Sequence, residues 1–302
     1  MIRLHVEKPG LHSLVQDSGR AGLQQYGVPL GGPLDRGAAR MANQLVQNPP
    51  DTPVVELTLG GPLIRFEGDC QIALCGADLS PSLNGAALAS HQTIEVPDGA
   101  TLQFGHPRSG CRAYLAVRGI WSLPRWLGSH SAFLQYTPSP TPESILSKGQ
   151  VIHIQPFPTR SPQIILHPGA AHAYSEPLIR VWPGPEFGLF SGPAIASFFG
   201  RRHRLSADSN RMGYRLTEPL DDIRPLPELI SSGIVPGTVQ VPPSGVPILL
   251  LADAQTVGGY PRIANVLQAD LDRLAQLRPG DWLRFEWGRG VSGGVVTGIG
   301  SA

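Results

Sequence analysis

The sequence is poor in lysine and cysteine. Its lysines are Lys8 and Lys148, and neither has a methionine beside it, so the chain lacks the lysine to which biotin is attached in carrier segments. Its cysteines are Cys70, Cys75 and Cys111, an odd number without a C-x-x-C pair. No disulfide framework or zinc site is therefore predicted. Because Cys70 and Cys75 lie an odd number of positions apart, we expect them on opposite sides of one strand.

Long apolar runs and an excess of charge are also missing. The run LLLA at residues 249–252 is too short to cross a membrane. The first ten residues lack the apolar core of a signal segment. The net charge of +1 argues against nucleic acid or an acidic membrane surface as the main partner. We therefore expect a cytoplasmic protein that binds neither nucleic acid nor a membrane.

The common catalytic motifs are absent as well. The sequence contains no G-x-x-x-x-G-K-[ST] phosphate loop and no H-E-x-x-H zinc motif. Its nine histidines are scattered, so we predict no metal site. A serine–histidine–aspartate triad stays open, because its members need not be close in sequence.

Glycine and proline are abundant, with 36 and 31 copies in 302 residues. This composition favours many short strands joined by turns, and the length favours about two domains of ~150 residues each. Segments such as VVELTLG, CQIALCG, CRAYLAV and DWLRFEW have the apolar patterns of strands. We predict a mainly β protein with domains at residues 1–160 and 161–302, connected through the proline-rich segment 156–177.

A first candidate site follows the leucine run at residues 249–251. A buried strand there would end in a polar, glycine-rich loop, which is how a rigid scaffold presents a site. The alternative is a tight loop whose polar side chains only bond their own backbone. The candidate residues of this loop are Asp253, Gln255, Thr256, Gly258, Gly259, Tyr260 and Arg262.

A second candidate is the segment LVQDSGRAGLQQYGVPLGGPLD, which contains Asp17, Arg20 and Asp35. Irregular loops of this length in compact domains are usually functional. Asp35 also precedes apolar residues at helical spacing, so we expect it to cap a helix. A run of arginines at residues 201–215 includes Arg211, and a solvated basic face is favoured there over phosphate binding.

The motifs of the chain, taken in order, resemble those of the biotin-dependent carboxyltransferase family. This family is also called allophanate hydrolase subunit 2-like or KipA-like, and includes one of the subunits of bacterial 5-oxoprolinase. The resemblance covers nearly the whole chain. The segments that carry it are LVQDSGRAGLQQYGVPLGGPLDRGAARMANQLVQNP, VVELTLGGPLIRF, LCGADLSPSLNG, CRAYLAVRG, LGSHS, DSNRMGYRL, GIVPGTVQVPPSGVPILLLADAQTVGGYPRI and LAQLRPGDWLRF.

Three positions depart from the family pattern. GGPLD stands where a Ser-Gly-Ala-Met-Asp run is more common, and Val257 stands where a second threonine is usual. After LGSHS, relatives carry a glycine-rich Gly-Arg run, whereas this chain has FLQYTPSPTPESILSKGQ. A site element in residues 133–150 is therefore not expected to be shared.

The resemblance implies a cyclophilin-like β-barrel in each of two domains. It also implies the C-type subunit of an ATP-dependent 5-oxoprolinase, which works with a B-type (KipI-like) and an A-type (LamB/YcsF-like) subunit. ATP and magnesium would be shared with the partner, and 5-oxo-L-proline would be opened to L-glutamate. On this basis the expected catalytic residues are Asp253, Gln255, Arg211 and Asp17. The expected binding residues are Arg20, Asp35, Thr256, Gly258, Gly259, Tyr260 and Arg262.

Two other functions remain open within the family. One is the carboxyltransferase component of a urea-carboxylase-like system, with biotin carried elsewhere. The other is a KipA-type regulatory protein that binds a kinase-inhibitor partner. A cyclophilin-like fold does not itself imply prolyl isomerase activity, because function depends on the site and not on the fold.

Overall fold

The structure is a computed structural model that describes residues 1–165, 177–223 and 229–288. The Cα positions divide the chain into two compact units. Unit 1 comprises Met1–Tyr174 and Ala275–Arg278, and unit 2 comprises Ser175–Leu274 and Pro279–Ala302. The predicted boundary at residue 160 stays a prediction, and residues 166–176 of the predicted connection lie outside the described residues. None of the helices in the described ranges is long and apolar enough to span a membrane.

Unit 1 is built from two antiparallel sheets and one helix, α1 (Arg36–Leu45). One sheet has the strand order β11-β12-β1-β4-β9-β6-β7, and the other has the order β2-β3-β10-β5-β8. The strands are β1 (Ile2–Lys8), β2 (Ser13–Gln16), β3 (Val54–Thr58), β4 (Leu63–Glu67), β5 (Cys70–Asp78), β6 (Pro81–Leu83), β7 (Ala86–Ala87), β8 (Thr93–Val96), β9 (Thr101–Phe104), β10 (Ser109–Val117), β11 (Ile120–Ser122) and β12 (Val151–Gln155).

The five-stranded sheet of unit 1 is buried on both faces. On β5, Cys70 and Leu74 pack into the core shared with the other sheet, whereas Ala73 and Cys75 pack with α1. Side chains on a strand alternate between its faces, so the expected opposite placement of the two cysteines is confirmed. Burial raises the pKa of both thiols to about 12 because a thiolate is poorly solvated there.

Unit 2 contains a seven-stranded sheet with the order β14-β21-β13-β20-β17-β18-β15 and a two-stranded sheet of β16 and β19. Its helices are α2 (Gly192–Gly200) and α3 (Gln268–Leu274). Its strands are β13 (Leu178–Pro183), β14 (His203–Arg204), β15 (Gly213–Arg215), β16 (Ser232–Gly233), β17 (Thr238–Gln240), β18 (Ile248–Leu250), β19 (Val257–Gly258), β20 (Arg262–Val266) and β21 (Trp282–Trp287).

The leucine run forms β18, which lies one place from the edge of its sheet, between β17 and β15. The prediction of a buried strand at this run is confirmed for Leu249 and Leu250, which are 0% and 4% exposed. The strand is short because the chain turns directly after it, where the backbone N–H of Ala254 donates to the carbonyl of Leu251 at 3.1 Å. This turn brings Asp253 next to Arg211.

Helix capping follows the sequence closely. Asp35 accepts a hydrogen bond from the backbone N–H of Ala38 at 2.8 Å, which confirms it as the N-cap of α1. Ser191 caps α2 in the same way, through Ala194 at 3.2 Å. Helix α3 ends at Leu274, and the chain passes back into unit 1 at Ala275. The mainly β class is confirmed, and a cyclophilin-like barrel in each half stays a prediction.

Candidate functional site

Asp17 is held by hydrogen bonds from three directions in unit 1. Its Oδ1 accepts from the hydroxyls of Ser129 and Ser131 and from the backbone N–H of Gly19 at 3.0 Å. Its Oδ2 accepts from the backbone N–H of His130 at 2.6 Å. The carboxylate is buried, and these donors offset the cost of removing its charge from water. Asp17 therefore fixes the LGSHS segment against the end of β2.

Arg20 is even more deeply buried, with 2% of its surface exposed. Its Nε donates to the carbonyl of Trp126 at 3.1 Å, and its Nη2 donates to the carbonyl of Ser131 at 2.7 Å. The guanidinium also lies 4.8 Å from the centre of the Trp126 ring and 5.7 Å from that of Phe133. Phe133 belongs to the segment that departs from the family pattern, so that segment covers Arg20 here.

Glycine is required where the loop after β2 folds back on itself. Gly19 has a φ of +82°, and a Cβ at this position would lie 2.4 Å from the carbonyl oxygen of Leu30. Gly32 has a φ of +81°, and its Cβ would lie 2.9 Å from the carbonyl oxygen of Asp17. These two glycines therefore allow two parts of the loop's own backbone to approach closely.

A buried polar network links Asp35 to Tyr114, Glu56 and Gln276, which are not among the predicted site residues. The hydroxyl of Tyr114 donates to Glu56 Oε2 at 2.9 Å and accepts from the backbone N–H of Asp35 at 2.8 Å. Asp35 Oδ2 accepts from Gln276 Nε2 at 2.6 Å. Gln276 Oε1 in turn accepts from the backbone N–H of Arg112 at 3.0 Å. Burial, together with the charges of Glu56 and Asp35, raises the pKa of Tyr114 well above its ordinary value.

A cavity of about 380 Å³ in unit 1 contains none of the predicted site residues. Asp78, Ser80, His91 and Arg108 contribute to its wall, together with several serines. Ser80 and His91 have left-handed backbone conformations, with φ values of 51° and 63°. Burial lowers the pKa of His91, so its imidazole is neutral near pH 7. The volume is within the range of small-molecule sites.

A smaller cavity of about 50 Å³ lies beside Asp17. It is lined by the end of β2 and by one face of α1, including Gln16, Ser18, Arg36, Arg40 and Asn43. We call it the Gln16 cavity. Asp17, a predicted catalytic residue, contributes to its wall.

In unit 2, Arg211 and Asp253 form a buried ion pair. Arg211 Nε lies 2.8 Å from Asp253 Oδ2, and its Nη2 lies 3.0 Å from Oδ1, which is the two-pronged geometry of a strong pair. The side chains are 4% and 8% exposed. The prediction of a solvated basic face is therefore wrong for Arg211, because a guanidinium with a carboxylate partner can be buried. It holds for Arg202, Arg204 and Arg215, which are exposed.

Arg262 is paired with Glu186. Its guanidinium and backbone N–H both bond Glu186, with Nε 2.6 Å and N 3.1 Å from Oε2. These bonds hold the pKa of Glu186 below its ordinary value, and they raise that of Arg262. The pair joins the turn after β13 to the start of β20.

The remaining loop residues of unit 2 differ in exposure. Thr256 is buried and its carbonyl accepts from the backbone N–H of Ile234, whereas Gln255 and Tyr260 are exposed. A Cβ on Gly258 would lie 2.7 Å from Gln240 Nε2, which is the end of a side chain and not backbone. A Cβ on Gly259 would lie 3.0 Å from a backbone carbonyl.

The structure thus pairs two of the predicted catalytic residues, Arg211 and Asp253, in unit 2, and places Asp17 with Arg20 around Ser131 in unit 1. Asp35 is a helix cap and part of the Tyr114 network. The catalytic and binding roles of all these residues stay predictions. Across the described ranges, no group of three or more His, Cys, Asp or Glu side chains is placed to hold a metal ion.

Known proteins share both the sequence and the architecture. The family model described as carboxyltransferase domain, subdomain A and B, matches residues 26–287. The chain is 37% identical over 282 residues to the C-type subunit of the 5-oxoprolinase of Escherichia coli, covering 93% of this chain and 90% of that protein. It is 32% identical to "Urea amidolyase" of Saccharomyces cerevisiae, covering 93% of this chain but 16% of that protein.

A solved structure agrees with these relationships. The crystal structure titled TTHA0988 superposes with a TM-score of 0.83 at 33% identity, over 95% of this chain. The chain spans 55% of that protein, which is therefore considerably longer than the matched part. Since the family model and the relatives cover most of the chain, it belongs to the family of carboxyltransferase domains with subdomains A and B.

Proposed function

We propose that this chain is the C-type subunit of an ATP-dependent 5-oxoprolinase complex that converts 5-oxo-L-proline to L-glutamate. The observation that carries the proposal is the similarity to the Escherichia coli protein of that type, which spans 90% of that protein without a large unmatched part. The partners would be a B-type (KipI-like) and an A-type (LamB/YcsF-like) subunit, in the cytoplasm. Each half of the chain would form a cyclophilin-like barrel, with domains at residues 1–160 and 161–302.

The reaction needs help because an amide carbon is a poor electrophile. Phosphorylation of the lactam oxygen by ATP would make that carbon open to attack, and developing negative charge would need arginines and backbone N–H groups. The two acidic residues among the predicted catalytic residues do not fit a magnesium site: Asp17 is engaged by four donors and Asp253 by Arg211. We therefore propose that the B-type partner supplies most of the ATP and magnesium site, and we assign this chain no step through the nucleotide.

This chain would instead supply rigid, positioned groups. Arg20 and Arg211 are both nearly fully buried and held by several hydrogen bonds, so neither loses further side-chain entropy when a substrate binds. Arg40 is exposed on α1 beside the Gln16 cavity and is available to an anionic group. The carboxylate of 5-oxo-L-proline is such a group.

The test is to purify the chain with its B-type and A-type partners and to measure glutamate formed from 5-oxo-L-proline and ATP. The assembled complex should turn over, and the isolated chain should not. Glutamate formation by the verified-pure chain alone, or none by the complete complex, would contradict the proposal.

A second candidate is the carboxyltransferase component of a urea-carboxylase-like system. The family description and the similarity to urea amidolyase favour it. Such a system would need biotin on another protein, because this chain has no suitable lysine. Dependence of turnover on bicarbonate and a biotinylated partner, with no turnover of 5-oxo-L-proline, would select this function.

A further inference from the structure

The cavity of about 380 Å³ in unit 1, which we call the Asp78 cavity, forms where the chain changes sheets. Strand β5 ends at Asp78 in the five-stranded sheet, and β6 begins at Pro81 in the seven-stranded sheet. Ser80 makes the change of direction with its left-handed backbone, at a φ of 51°. Because the chain leaves one sheet for the other here, a gap opens beside the start of β10, where Ser109 pairs with Asp78.

Asp78 and Arg108 are the charged side chains in the wall of this cavity, because burial keeps the imidazole of His91 neutral near pH 7 by lowering its pKa. Arg108 Nη1 lies 3.9 Å from Asp78 Oδ2, too far for a hydrogen bond. The two side chains are 75% and 41% exposed, so their mutual attraction is weak. Asp78 Oδ1 accepts from the backbone N–H of Ser80 at 2.8 Å, which positions the carboxylate and leaves Oδ2 able to accept from a ligand.

Neutral residues complete the wall of the Asp78 cavity. Ser82, Ser90 and Ser109 line it, and their hydroxyls bond no other residue in the part of the chain that the structure describes. A hydroxyl both donates and accepts, so these serines can bond an ammonium group or a carboxylate. The apolar part of the wall consists of Pro81, Ala87, Leu88 and Ala89. The cavity therefore combines one carboxylate, one guanidinium, hydroxyls and an apolar surface.

This combination restricts the charge and shape of a ligand. A simple anion would be repelled by Asp78, and a simple cation by Arg108. A nucleobase or a sugar would find no aromatic ring to stack on, because no Phe, Tyr or Trp contributes to the described wall. A zwitterion with its two charges close together can face the carboxylate and the guanidinium at once. The α-ammonium and α-carboxylate groups of an amino acid are such a pair.

We propose that the Asp78 cavity binds a free α-amino acid with an apolar side chain. The ammonium group donates to Asp78 Oδ2, the carboxylate pairs with Arg108 and the serine hydroxyls, and the side chain packs on the apolar part of the wall. The cavity volume is at the lower end of the range of small-molecule sites, in keeping with a ligand of this size. The proposal does not rest on the proposed function, because none of the residues predicted for that reaction lines this cavity.

The test measures the binding of four probes to the full chain by ligand-observed NMR titration. L-leucine carries both charges and an apolar side chain. 4-Methylpentanoate lacks its ammonium group, isoamylamine lacks its carboxylate, and L-glutamate has a second carboxylate for which the described wall offers no second cation. L-leucine should bind with a Kd of about 1 mM or lower, and each of the other three should bind about tenfold more weakly or worse.

Two variants assign the charges of the ligand. Asp78→Asn should weaken L-leucine about tenfold without weakening 4-methylpentanoate, because it removes only the partner of the ammonium group. Arg108→Gln should weaken L-leucine by about the same factor without weakening isoamylamine, because it removes only the partner of the carboxylate.

Asp69→Asn and Arg160→Gln are the matched controls. Asp69 also bonds a backbone N–H, that of Asp98 at 2.9 Å, and it lies 3.8 Å from Arg160 in an exposed pair. Neither residue lines the Asp78 cavity, so both variants should bind L-leucine like the wild type. All four variants should melt close to the wild type, because exposed ion pairs contribute little to stability.

Four results would overturn the proposal. The first is the absence of saturable L-leucine binding to the wild type. The second is equal binding of 4-methylpentanoate and L-leucine, which would show that charge does not select the ligand. The third is a markedly lower melting temperature of Asp78→Asn or Arg108→Gln, which would make the pair structural. The fourth is tighter binding of L-glutamate than of L-leucine, which would rule out an apolar side chain. The proposed function is tested separately, by glutamate formation in the complete complex.

Discussion

Replacing Asp253 by asparagine tests whether the buried ion pair of unit 2 is structural. Asparagine keeps the shape of the side chain but removes its charge and sets an amide group against the guanidinium of Arg211. Both partners are more than 90% buried. Removing one partner of a buried pair typically costs about 3 to 5 kcal/mol, because the other charge is left without compensation in a poorly solvated site.

The free-energy cost of Asp253→Asn should be near the upper part of that range. The pair has two short contacts, and the backbone N–H of Asp253 also donates to the carbonyl of Arg211 at 3.2 Å. For a protein of 150 to 250 residues, 1 kcal/mol shifts the melting temperature by roughly 2 to 4 °C. Asp253→Asn should therefore lower the melting temperature by about 8 °C or more.

The matched control is Asp221→Asn in the same unit. Asp221 pairs with Arg201 at 3.1 Å, but its side chain is 63% exposed. An exposed pair contributes less than about 1 kcal/mol, so this variant should melt within a few degrees of the wild type. The double variant Arg211→Met with Asp253→Leu should recover most of the lost stability, since an apolar pair can replace a buried ion pair.

The result also bears on function. If Asp253→Asn melts like the wild type while the assembled complex loses about 100-fold or more in turnover, the carboxylate acts in the reaction and the structural interpretation is refuted. If it melts like the wild type and turns over normally, both roles are refuted.

Three further predictions concern single side chains. The pKa of Glu186 is lowered by its bond to Arg262, so this bond stabilises the fold above about pH 4.5, and the stabilisation is lost as pH falls. Glu186→Gln should therefore lower the free energy of unfolding by about 2 kcal/mol at pH 7 and by less at pH 3.5, as measured by urea denaturation. Tyr114→Phe should lower the free energy of unfolding by about 2 to 3 kcal/mol, because the buried Glu56 loses a hydrogen-bond donor. A decrease below about 0.5 kcal/mol would contradict a stabilising role for the network. Gly19→Ala should destabilise more than Gly22→Ala, because both have a φ of +82° but only Gly19 meets backbone; equal melting temperatures would contradict this.

The sequence predicts those features of the fold that depend on neighbouring residues. The alternation of Ile2, Leu4 and Val6 predicts β1, and all three side chains are buried as expected. Asp35 and Ser191 were identifiable as caps because a cap acts within three residues of its own position. The alternation of apolar residues and helix capping are local signals, and both are present in the structure.

The partners of the charged residues could not be predicted, because they are distant in the chain. Glu186 lies 76 positions before Arg262, and Tyr114 lies 58 positions after Glu56. One local signal was available. Glu56 stands in the apolar strand VVELTLG, and a carboxylate inside such a strand needs a buried partner. The Gln16 cavity carries no comparable signal, since it arises only when α1 packs on β2.

The chain path at residues 275–278 bears on how the protein folds during synthesis. These four residues belong to unit 1, although about 100 residues of unit 2 precede them. Gln276 supplies an acceptor to backbone N–H groups of β10 and a donor to Asp35. Domains often fold on the ribosome in order of emergence. Unit 1 cannot follow that order to completion, because its last buried polar contacts form only when residue 278 has been made. A ribosome paused before that point should therefore carry a unit 1 that is more sensitive to protease than the finished one.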